Sequence, residues 1–522
     1  MDQNSSLEPQ NCNSKAISPP NPAQLIQKER NNLTFDVQTL EHILDGGKKV
    51  TEGKRQMGKL IENDPVLRCD RVEWLEMTRP QLRQRTMAKL KRAVELRKNF
   101  SPEQHDYFAE VMAQYDQSWG MRYGVHTALF YPTIKSQGSD EQIKYWESDI
   151  INHRILGCFG MTELGNGSFI QNFETQAIYD QSSDTFLIHS PTITSYKWWI
   201  GMASETATHC AVYARLIVKN EDHGIHVFVV PLRDRDTGRL LPGVQTGDVG
   251  FKMGRNGLDN GYICFNKVRI PRTNMLMRYA TLDSNGNYTP SPLAQLAYGA
   301  LVGGRVKMCL FGKNNLKHAL TIAIRYSIGR VHYGTQQLLD YHTHQYRLLN
   351  ILSSLYAIHF GSAVLGQRYD SMMKELLTNQ DMTNLAEVHG LSSAMKAFVT
   401  WFVLDSIEVC RQCCGGHGYS AYAAFTSLFN DFGVLVSGEG DNTVIAYTQT
   451  GRYLMNAVKK ILKGENMTAD SLLYLNEINK YTTSRNLNDL LNLRPQVASV
   501  KDAKELLNGS NLLDLCKWTS IK

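Results

Sequence analysis

Near the end of the chain a single carboxylate, Glu439, lies between two glycines. Flanking glycines give the backbone conformational freedom and remove neighbouring bulk, so a carboxylate there can be positioned as a proton acceptor. The next three residues, 441–443, are Asp, Asn and Thr, which favour the N-cap of the helix that the sequence predicts as far as residue 454. The pattern is therefore compatible with a catalytic base, with a helix cap, or with both.

A second candidate lies at residues 158–168, where a predicted strand meets a glycine-rich turn. The segment reads Cys-Phe-Gly-Met-Thr-Glu-Leu-Gly-Asn-Gly-Ser and carries two hydroxyls, Thr162 and Ser168. Exposed backbone N–H groups and the absence of bulk at Gly165 and Gly167 suit the flat polar edge of a cofactor and a phosphate. A loop with tight turns explains the local pattern equally well.

The segment Lys197-Trp-Trp-Ile-Gly201 carries two adjacent tryptophans within a predicted strand. Successive side chains of a strand point to opposite faces, so one ring is expected in the core and the other against a ligand. Taken alone, such a pair more often reflects packing.

A further glycine-rich segment, Gly415-Gly-His-Gly-Tyr419, follows a long helical pattern. Glycine in this place predicts a helix C-cap and a reversal of the chain. It also fits a backbone that must pass close to a ligand, and the two interpretations can both hold.

A net charge of +6 over 522 residues is modest, and the basic residues are scattered apart from a small cluster at 89–98. We interpret that cluster as a solvated helix face and predict no nucleic-acid partner, because no aromatic platform or groove-reading motif accompanies it. A net positive charge suits a protein that binds a small anionic substrate. No uninterrupted apolar run reaches about eighteen residues, so we predict no membrane span.

Ten cysteines in a chain whose first residues are polar indicate a reducing compartment and free thiols. Zinc sites usually draw their tetrahedral ligands from two separated pairs. The group with the most metal-like spacing instead lies close together at the end of one helical pattern, so we predict no metal. Its members are Cys410, Cys413, Cys414 and His417.

The order of patterns predicts an α+β multidomain fold with a helical N-terminal domain, a middle antiparallel β domain and a C-terminal helical bundle. Capping boxes at Ser101 and Ser139 mark helix starts. Short β-rich runs then follow without helix-length periods between them, which favours an antiparallel sheet. Long helical patterns at 293–328, 342–376 and 382–413 predict the bundle. The predicted divisions are a disordered lead (1–22), the N-terminal domain (23–154), the β domain (155–282), the bundle (293–465) and a partial second C-terminal helical region (466–522).

Taken together and in this order, the four motifs resemble the acyl-CoA oxidases, the peroxisomal branch of the acyl-CoA dehydrogenase superfamily. The likeness extends from about residue 21 to residue 462. Further matching segments are 249–254 (Val-Gly-Phe-Lys-Met-Gly), 258–262 (Leu-Asp-Asn-Gly-Tyr), 268–272 (Val-Arg-Ile-Pro-Arg) and 322–327 (Ile-Ala-Ile-Arg-Tyr-Ser). The resemblance implies the acyl-CoA dehydrogenase-like fold, with FAD held between the domains at a dimer interface.

The resemblance also implies roles for individual residues. Glu439 is expected to be the catalytic base. Arg330 is expected to reach the FAD diphosphate from across the dimer. The other expected FAD contacts are Phe159, Met161, Thr162, Gly167, Ser168, Gly201, His344, Gln345 and Asp441. Tyr298, Arg305 and Gly438 are expected to border the acyl-CoA.

The implied activity is oxidation of a fatty acyl-CoA by dioxygen to a trans-2-enoyl-CoA and hydrogen peroxide, the first step of peroxisomal β-oxidation. The expected partners are the acyl-CoA, dioxygen and a second subunit, either identical or related. The alternatives are a dehydrogenase that uses a protein electron acceptor and a non-catalytic, truncated family member.

Three departures from the family pattern motivate the non-catalytic alternative. Gly438 replaces the aromatic residue that usually precedes the base, which would leave the pocket wider or wetter. Met202 replaces a glycine after Gly201 and is expected to crowd the flavin or the acyl channel. Only the beginning of the family's second C-terminal helical domain is expected, and the sequence ends in Ser-Ile-Lys, so the route to the peroxisome stays open.

Overall fold

The computed structural model describes residues 20–291, 299–333, 336–379 and 381–477. The predicted lead (1–22), apart from its last three residues, and most of the predicted region 466–522 lie outside the described residues. The described residues begin and end with helices, and a β region separates the two helical parts. The first helices are α1 (Pro22–Asn31), α2 (Val37–Asp45), α3 (Lys48–Asn63), α4 (Arg71–Glu76), α5 (Arg79–Arg97), α6 (Pro102–Tyr115), α7 (Gln117–Gly124), α8 (Tyr131–Gln137) and α9 (Asp140–Ile151).

Local capping signals determine where two of these helices begin. The Ser101 hydroxyl accepts the Gln104 N–H while the Gln104 side chain accepts the Ser101 N–H, and α6 starts at the intervening proline. The same reciprocal pair occurs at Ser139 before α9. Both predicted capping boxes are therefore confirmed. An apolar core that includes the fully buried Trp119 joins α3, α5, α6 and α7.

The β region contains a six-stranded sheet and a three-stranded sheet. The strands are β1 (Gly157–Gly160), β2 (Gln176–Asp180), β3 (Thr185–His189), β4 (Lys197–Gly201), β5 (His209–Val218), β6 (Glu221–Pro231), β7 (Val244–Asp248), β8 (Asn260–Phe265) and β9 (Val268–Pro271), with short pairs β10 (Thr281–Leu282) and β11 (Tyr288–Thr289). In the larger sheet the order is β1-β5-β2-β3-β9, and β6 also pairs with β5. In the smaller sheet the order is β4-β8-β7.

The predicted β domain is confirmed, and most of its strand pairs are antiparallel. The strand β5 differs, because it pairs in parallel with both β1 and β2. Most of its side chains are buried, which is expected for a strand covered on both faces. Residues 261–270 belong to two strands, β8 and β9, which a turn separates with Lys267 at positive φ.

The second helical region is a bundle of long helices. Its elements are α10 (Gly299–Gly329), the hairpin β12 (Val331–His332) and β13 (Gln336–Gln337), α11 (His342–Asn379), α12 (Leu385–Cys413), α13 (Phe425–Phe432), α14 (Asn442–Ile445), a π-helical turn (Ala446–Gly451) and α15 (Arg452–Leu462). A continuous apolar core joins α10, α11, α12 and α13. The predicted bundle is thus confirmed.

One helix among the described residues, over His342–Leu376, is long and apolar enough to cross a membrane by length and composition. In the window concerned, 39% of the residues are buried inside the protein. Its inward face, which includes Leu348, Ile351 and Ile358, contributes to the bundle core. A core helix explains this composition, and the absence of a membrane span stays a prediction.

Candidate active site

Glu439 adopts a backbone conformation that side-chain-bearing residues seldom adopt. Its φ is +57°, and Gly440 follows at +97°. The left-handed conformation of a non-glycine residue is unfavourable and persists where surrounding contacts hold it, often at a functional site. At Gly440 a Cβ atom would lie 2.7 Å from Cγ2 of Ile445, so glycine is required there. The sequence Gly-Glu-Gly is therefore explained by a strained loop that presents one carboxylate.

Two buried cations from neighbouring helices hold this loop. The Lys396 Nζ of α12 donates to the Gly440 carbonyl at 2.7 Å. The Arg305 Nε of α10 lies 3.5 Å from the Glu439 carbonyl oxygen, and Arg305 Nη1 donates to the Ser393 hydroxyl at 3.0 Å. Both cations bind backbone oxygens of the loop, which leaves the Glu439 carboxylate free of a hydrogen bond from either of them.

The pKa of Glu439 is raised, and burial is the main cause. The positive charges of Arg305, Lys396 and Lys307 act in the opposite direction and favour the ionised form. A carboxyl group whose pKa is moved upward towards neutrality is suited to take a proton from a carbon acid and to release it later. The electrostatics of the site therefore match those of a general base.

The helix α10 passes close to the carboxylate at Gly304. A Cβ atom on Gly304 would lie 2.6 Å from Oε2 of Glu439. The sequence signal for this residue is the pair Gly303-Gly304 inside a long helix, which indicates close approach of another group and is absent from the predicted site residues. The helix surface at Gly304 is thus a wall of the candidate site.

The variant Gly304→Ala is expected to separate activity from stability. The new methyl group displaces the carboxylate, so we expect kcat to fall by roughly tenfold or more, since misplacement of about 1 Å can cost up to a hundredfold. The displaced atom ends a flexible side chain, and alanine favours a helix over glycine by about 1 kcal/mol, so the melting temperature should not fall. The matched control Gly58→Ala in α3, where the nearest atom would be the Tyr115 hydroxyl at 3.5 Å, should leave kcat unchanged. A drop in melting temperature with parental kcat would contradict this assignment.

The β region supplies the opposite side of the site. Phe159 packs edge-on against Tyr213 with ring centroids 5.2 Å apart. Burial raises the pKa of Tyr213, and the nearby Glu439 carboxylate raises it further. Glu439 therefore faces the strands that carry Phe159 and Tyr213, so the predicted base and the first predicted flavin contact lie on two sides of one region. Tyr213 was missed because nothing in its local pattern distinguishes it from other strand residues.

The loop after β1 is anchored by a fully buried ion pair between Lys197 and Glu163. The Lys197 Nζ lies 3.0 Å from Glu163 Oε1 and also donates to the carbonyls of Met161 (3.1 Å) and Tyr213 (2.6 Å). The Thr162 carbonyl accepts the Trp198 N–H at 2.8 Å. Met161 and Thr162 are thus fixed through their backbones, and the half-buried Met161 side chain packs against an apolar core cluster.

The expectation that one of the two tryptophan rings lies in the core is wrong, because neither ring belongs to a core cluster. Trp198 stacks on Tyr262 with centroids 5.4 Å apart, and Trp199 is 57% exposed with a φ of +66°. The pairing of β4 with β8 changes register between Lys197 and Ile200. This irregularity breaks the alternation of faces and buries Lys197 and Ile200 instead.

The expected crowding by Met202 is also not seen. Met202 is fully buried in the core of the β region, with a φ of +70°. Its carbonyl accepts the N–H groups of Thr206 and Ala207. The side chain therefore packs inward, and Gly201 before it lies against Val125, whose Cγ2 would be 3.0 Å from a Cβ.

The two glycines of the loop after β1 have different reasons to be glycine. A Cβ on Gly165 would lie 2.8 Å from Cβ of Thr194, so packing accounts for this residue. A Cβ on Gly167 would meet nothing within 4 Å, and Ser168 next to it is exposed. Gly167 and Ser168 thus border open space, as a phosphate-binding turn requires.

Arg330 and His344 lie together in a cleft of about 650 Å³ at one end of the bundle. His344 Nε2 lies 3.0 Å from the Ser327 hydroxyl, which itself donates to the Ala323 carbonyl. The lining residues are Tyr326, Arg330, His332, Leu338, His344, Gln412, Cys413, Gly415, Gly416 and His417. Phe159, Met161, Thr162 and Gly201 do not line this cleft, so one chain presents the two groups of expected cofactor contacts on separate surfaces.

The donor set of the cleft fits an anionic group such as a diphosphate. It combines a guanidinium, three imidazoles and the backbone of Gly415 and Gly416, where an added Cβ would meet nothing within 4 Å. Arginine with exposed glycine backbone is the usual recognition chemistry for phosphate oxygens. Gly415, at a φ of +57°, directly follows Cys414, the C-cap residue of α12, so this glycine both terminates the helix and presents backbone to the cleft.

The structure also describes the surroundings of three further residues that the sequence predicts as ligand contacts. Asp441 is the N-cap of α14, since its side chain accepts the Val444 N–H at 3.1 Å. The Gly438 N–H donates to the Val434 carbonyl at 2.7 Å, and a Cβ on Gly438 would lie 3.1 Å from that oxygen. Gln345 is half-buried in the first turn of α11, and Tyr298 lies outside the described residues.

Cysteine chemistry contributes little to the site. Within the described ranges, no group of three or more His, Cys, Asp or Glu could hold a metal ion. Cys410, Cys413 and Cys414 are buried, and burial raises the pKa of each thiol. They pack in the apolar core of the bundle.

The three consecutive regions match family models of an acyl-CoA dehydrogenase-like enzyme. The model for the acyl-coenzyme A oxidase N-terminal region matches residues 36–156, that for the acyl-CoA dehydrogenase middle domain matches 158–268, and that for the acyl-CoA oxidase C-alpha1 domain matches 298–455. The chain is 38% identical to the acyl-coenzyme A oxidase of Debaryomyces hansenii over 94% of this chain and 71% of the relative. It is 35% identical to the peroxisomal acyl-coenzyme A oxidase 1 of Mus musculus over 87% and 69% of the two chains. The chain belongs to the acyl-CoA oxidase family of oxidoreductases.

Solved structures agree with this assignment. Acyl-CoA oxidase 1 of Yarrowia lipolytica superposes with a TM-score of 0.87 at 35% identity, over 96% of this chain and 74% of that one. Acyl-CoA oxidase-2 of Caenorhabditis elegans, solved with FAD, ascaroside-CoA and ATP, gives a TM-score of 0.81 at 31% identity over 90% and 72%. The predicted fold class is confirmed by these superpositions.

Proposed function

We propose that the chain is an FAD-dependent acyl-CoA oxidase in which Glu439 removes the α-proton of a fatty acyl-CoA. The observation that carries this role is the strained, part-buried carboxylate at the contact between the bundle and the β region. The products are a trans-2-enoyl-CoA and hydrogen peroxide. Two hydrogens leave the acyl chain, one as a proton and one as a hydride, and dioxygen receives the electron pair and two protons.

The residues present support the first half of this reaction. Ionised Glu439 accepts the α-proton, and the cations Arg305 and Lys396 keep its loop in place while the proton moves. Phe159 and Tyr213 exclude water from the opposite side, which strengthens the electrostatic interactions of the site. Phe159, Met161, Thr162, Gly167, Ser168 and Gly201 would lie beside the flavin and phosphates of one FAD, and Arg330 with His344 would hold the diphosphate of the FAD bound to a partner copy. Bound FAD would supply the acceptor for the β-hydride and the route for the electron pair to dioxygen.

The test of this function is peroxide release from a panel of straight-chain acyl-CoAs in air. We expect turnover with at least one chain length and one peroxide for each enoyl-CoA formed. Flavin that is reduced by acyl-CoA without peroxide formation would favour the dehydrogenase alternative. Absence of both flavin and turnover would favour the non-catalytic alternative.

We also propose that two copies associate through the exposed apolar face of α11 and α12. Aromatic and aliphatic side chains recur on this face at helical spacing, and such a stripe on a solvent-facing helix is typical of an interface. The separation of the two groups of FAD contacts within one chain supports the same arrangement, since Arg330 would then reach the cofactor of the partner. The face consists of Tyr346, Leu349, Tyr356, Phe360, Val364, Phe398 and Trp401.

The variant Phe360→Glu is expected to dissociate this dimer and to release FAD at the same time. A charge at the centre of an apolar interface costs several kcal/mol, which is a loss of affinity of more than a hundredfold. Sedimentation velocity and the flavin absorbance of the purified protein measure the two effects. Ile193→Glu, at an exposed residue of the β region, is the matched control. A parent protein that sediments as a monomer with bound FAD would contradict the proposal.

The proposed place of action is the peroxisome, in the first step of β-oxidation. The mouse relative is named as a peroxisomal acyl-coenzyme A oxidase, and the chain shares 35% identity with it. Imaging of the tagged protein beside a peroxisomal marker tests this proposal.

A further inference from the structure

Lys396 carries a buried charge that forms no ion pair at salt-bridge distance among the described residues. Its side chain is fully buried on α12, and no carboxylate of the described residues lies within salt-bridge distance of it. The Nζ atom instead donates to two neutral oxygens, the Gly440 carbonyl at 2.7 Å and Asn442 Oδ1 at 2.8 Å. An unpaired buried ammonium is costly, so its presence beside the Glu439 loop needs a reason other than packing.

The lysine belongs to a closed hydrogen-bond network. Asn442 is almost fully buried, and its Nδ2 donates to the Thr400 hydroxyl at 2.9 Å and to the Ala397 carbonyl at 3.3 Å. The Thr400 hydroxyl donates in turn to the Lys396 carbonyl at 2.8 Å. Because lysine has donors only, the Asn442 amide must turn its oxygen towards Lys396. The network therefore connects α12 to Gly440 and Asn442, which lie one and three residues after Glu439.

We infer that Lys396 is a positioning residue for Glu439, which fixes the left-handed loop through Gly440 and supplies the positive charge that keeps the carboxylate ionised. This inference rests on the proposed role of Glu439 as the base. Lys396 acts through the loop and does not touch the substrate. Its sequence signal is a lone lysine within the otherwise uncharged stretch 388–404.

The positive charge of Lys396 lowers the pKa of Glu439, and the negative charge of Glu439 raises the pKa of Lys396. Burial raises the pKa of Glu439, and Lys396 opposes that rise. Burial lowers the pKa of Lys396 itself to about 8, and the Glu439 carboxylate opposes that fall. The other groups that face Glu439 are Arg305 and Lys307 of α10 and Tyr213 of β5, and those that face Lys396 are Arg305, Cys309 and Asp441.

The test is the pH dependence of kcat/KM in the FAD-loaded variants Lys396→Met and Lys396→Gln. The acid limb of this profile reports the base in the free enzyme. Loss of the positive charge raises the pKa of Glu439, so activity should disappear at a higher pH than in the parent, by about one pH unit or more. Lys396→Gln keeps a donor for the Gly440 carbonyl, so its kcat at high pH should exceed that of Lys396→Met.

The control is Lys317→Met, which removes an exposed lysine of α10 that lies roughly 18 Å along the helix from Arg305. The acid limb of its kcat/KM profile should lie at the same pH as that of the parent protein. If the lysine variants do not fold, the variant Asn442→Asp tests the inference instead. Aspartate keeps the side-chain volume of asparagine and pairs the Lys396 ammonium with a carboxylate. The acid limb of the kcat/KM profile should again move to higher pH. A folded variant that loses activity equally at every pH, with the parental limb, would overturn the inference. Retention of activity in Glu439→Gln would instead show that the proposed function itself is wrong.

Discussion

Replacing Glu439 by glutamine should reduce kcat by about a hundredfold to ten-thousandfold, the usual contribution of a general base. The amide is nearly isosteric, so the loop with its φ of +57° and the contacts of Lys396 to Gly440 should persist. The flavin content and the melting temperature should therefore equal those of the parent. Stopped-flow absorbance during mixing with an acyl-CoA measures the rate of flavin reduction directly.

The matched control is Glu465→Gln, which changes an exposed glutamate after α15. It should reduce the flavin at the parental rate. If Glu439→Gln retained more than about a tenth of the parental rate, the base would have to be another residue.

Replacing Lys197 by methionine should have the largest effect on stability. Lys197 and Glu163 are both fully buried, and the ammonium also satisfies the carbonyls of Met161 and Tyr213. Removing one partner of a buried pair leaves an uncompensated charge and typically costs about 3–5 kcal/mol. Because the Met161 carbonyl belongs to the proposed flavin loop, FAD retention should fall together with the melting temperature.

Two further variants show whether the unpaired buried charge of Glu163 causes the loss of stability. Lys197→Met combined with Glu163→Gln removes both charges and should recover part of the lost stability, since the unpaired carboxylate is gone. Lys267→Met changes an exposed lysine in the turn between β8 and β9 and should behave as the parent. Equal melting temperatures for the Lys197 and Lys267 variants would contradict the importance of the pair.

The elements were predictable because their signals are local. Capping boxes at Ser101 and Ser139 and the long apolar periods of α10, α11 and α12 need no tertiary information. The candidate base was recognisable for the same reason, since Gly-Glu-Gly marks a strained loop within three residues. The likeness to a family then grouped motifs that are far apart in the sequence.

The predictions that are wrong concern residues at which tertiary contacts override a local sequence rule. The alternation rule placed one tryptophan in the core, but the irregular pairing of β4 with β8 buries Lys197 in its place. The side chain of Met202 turns into the β core because the chain reverses at that residue. Lys396 was missed because a lysine on a helix is normally exposed, and only the packed bundle reveals its burial.

The most direct test of the central claim is a two-step mixing experiment with the FAD-loaded protein. Acyl-CoA is added without oxygen and the flavin absorbance is followed, and oxygen is then admitted while peroxide is measured. With Glu439 as the base and dioxygen as the oxidant, we expect rapid loss of the absorbance, its rapid return in oxygen, and one peroxide for each flavin reoxidised. Absorbance that falls with acyl-CoA but returns slowly and without peroxide, or that does not fall at all, would contradict an acyl-CoA oxidase built around Glu439.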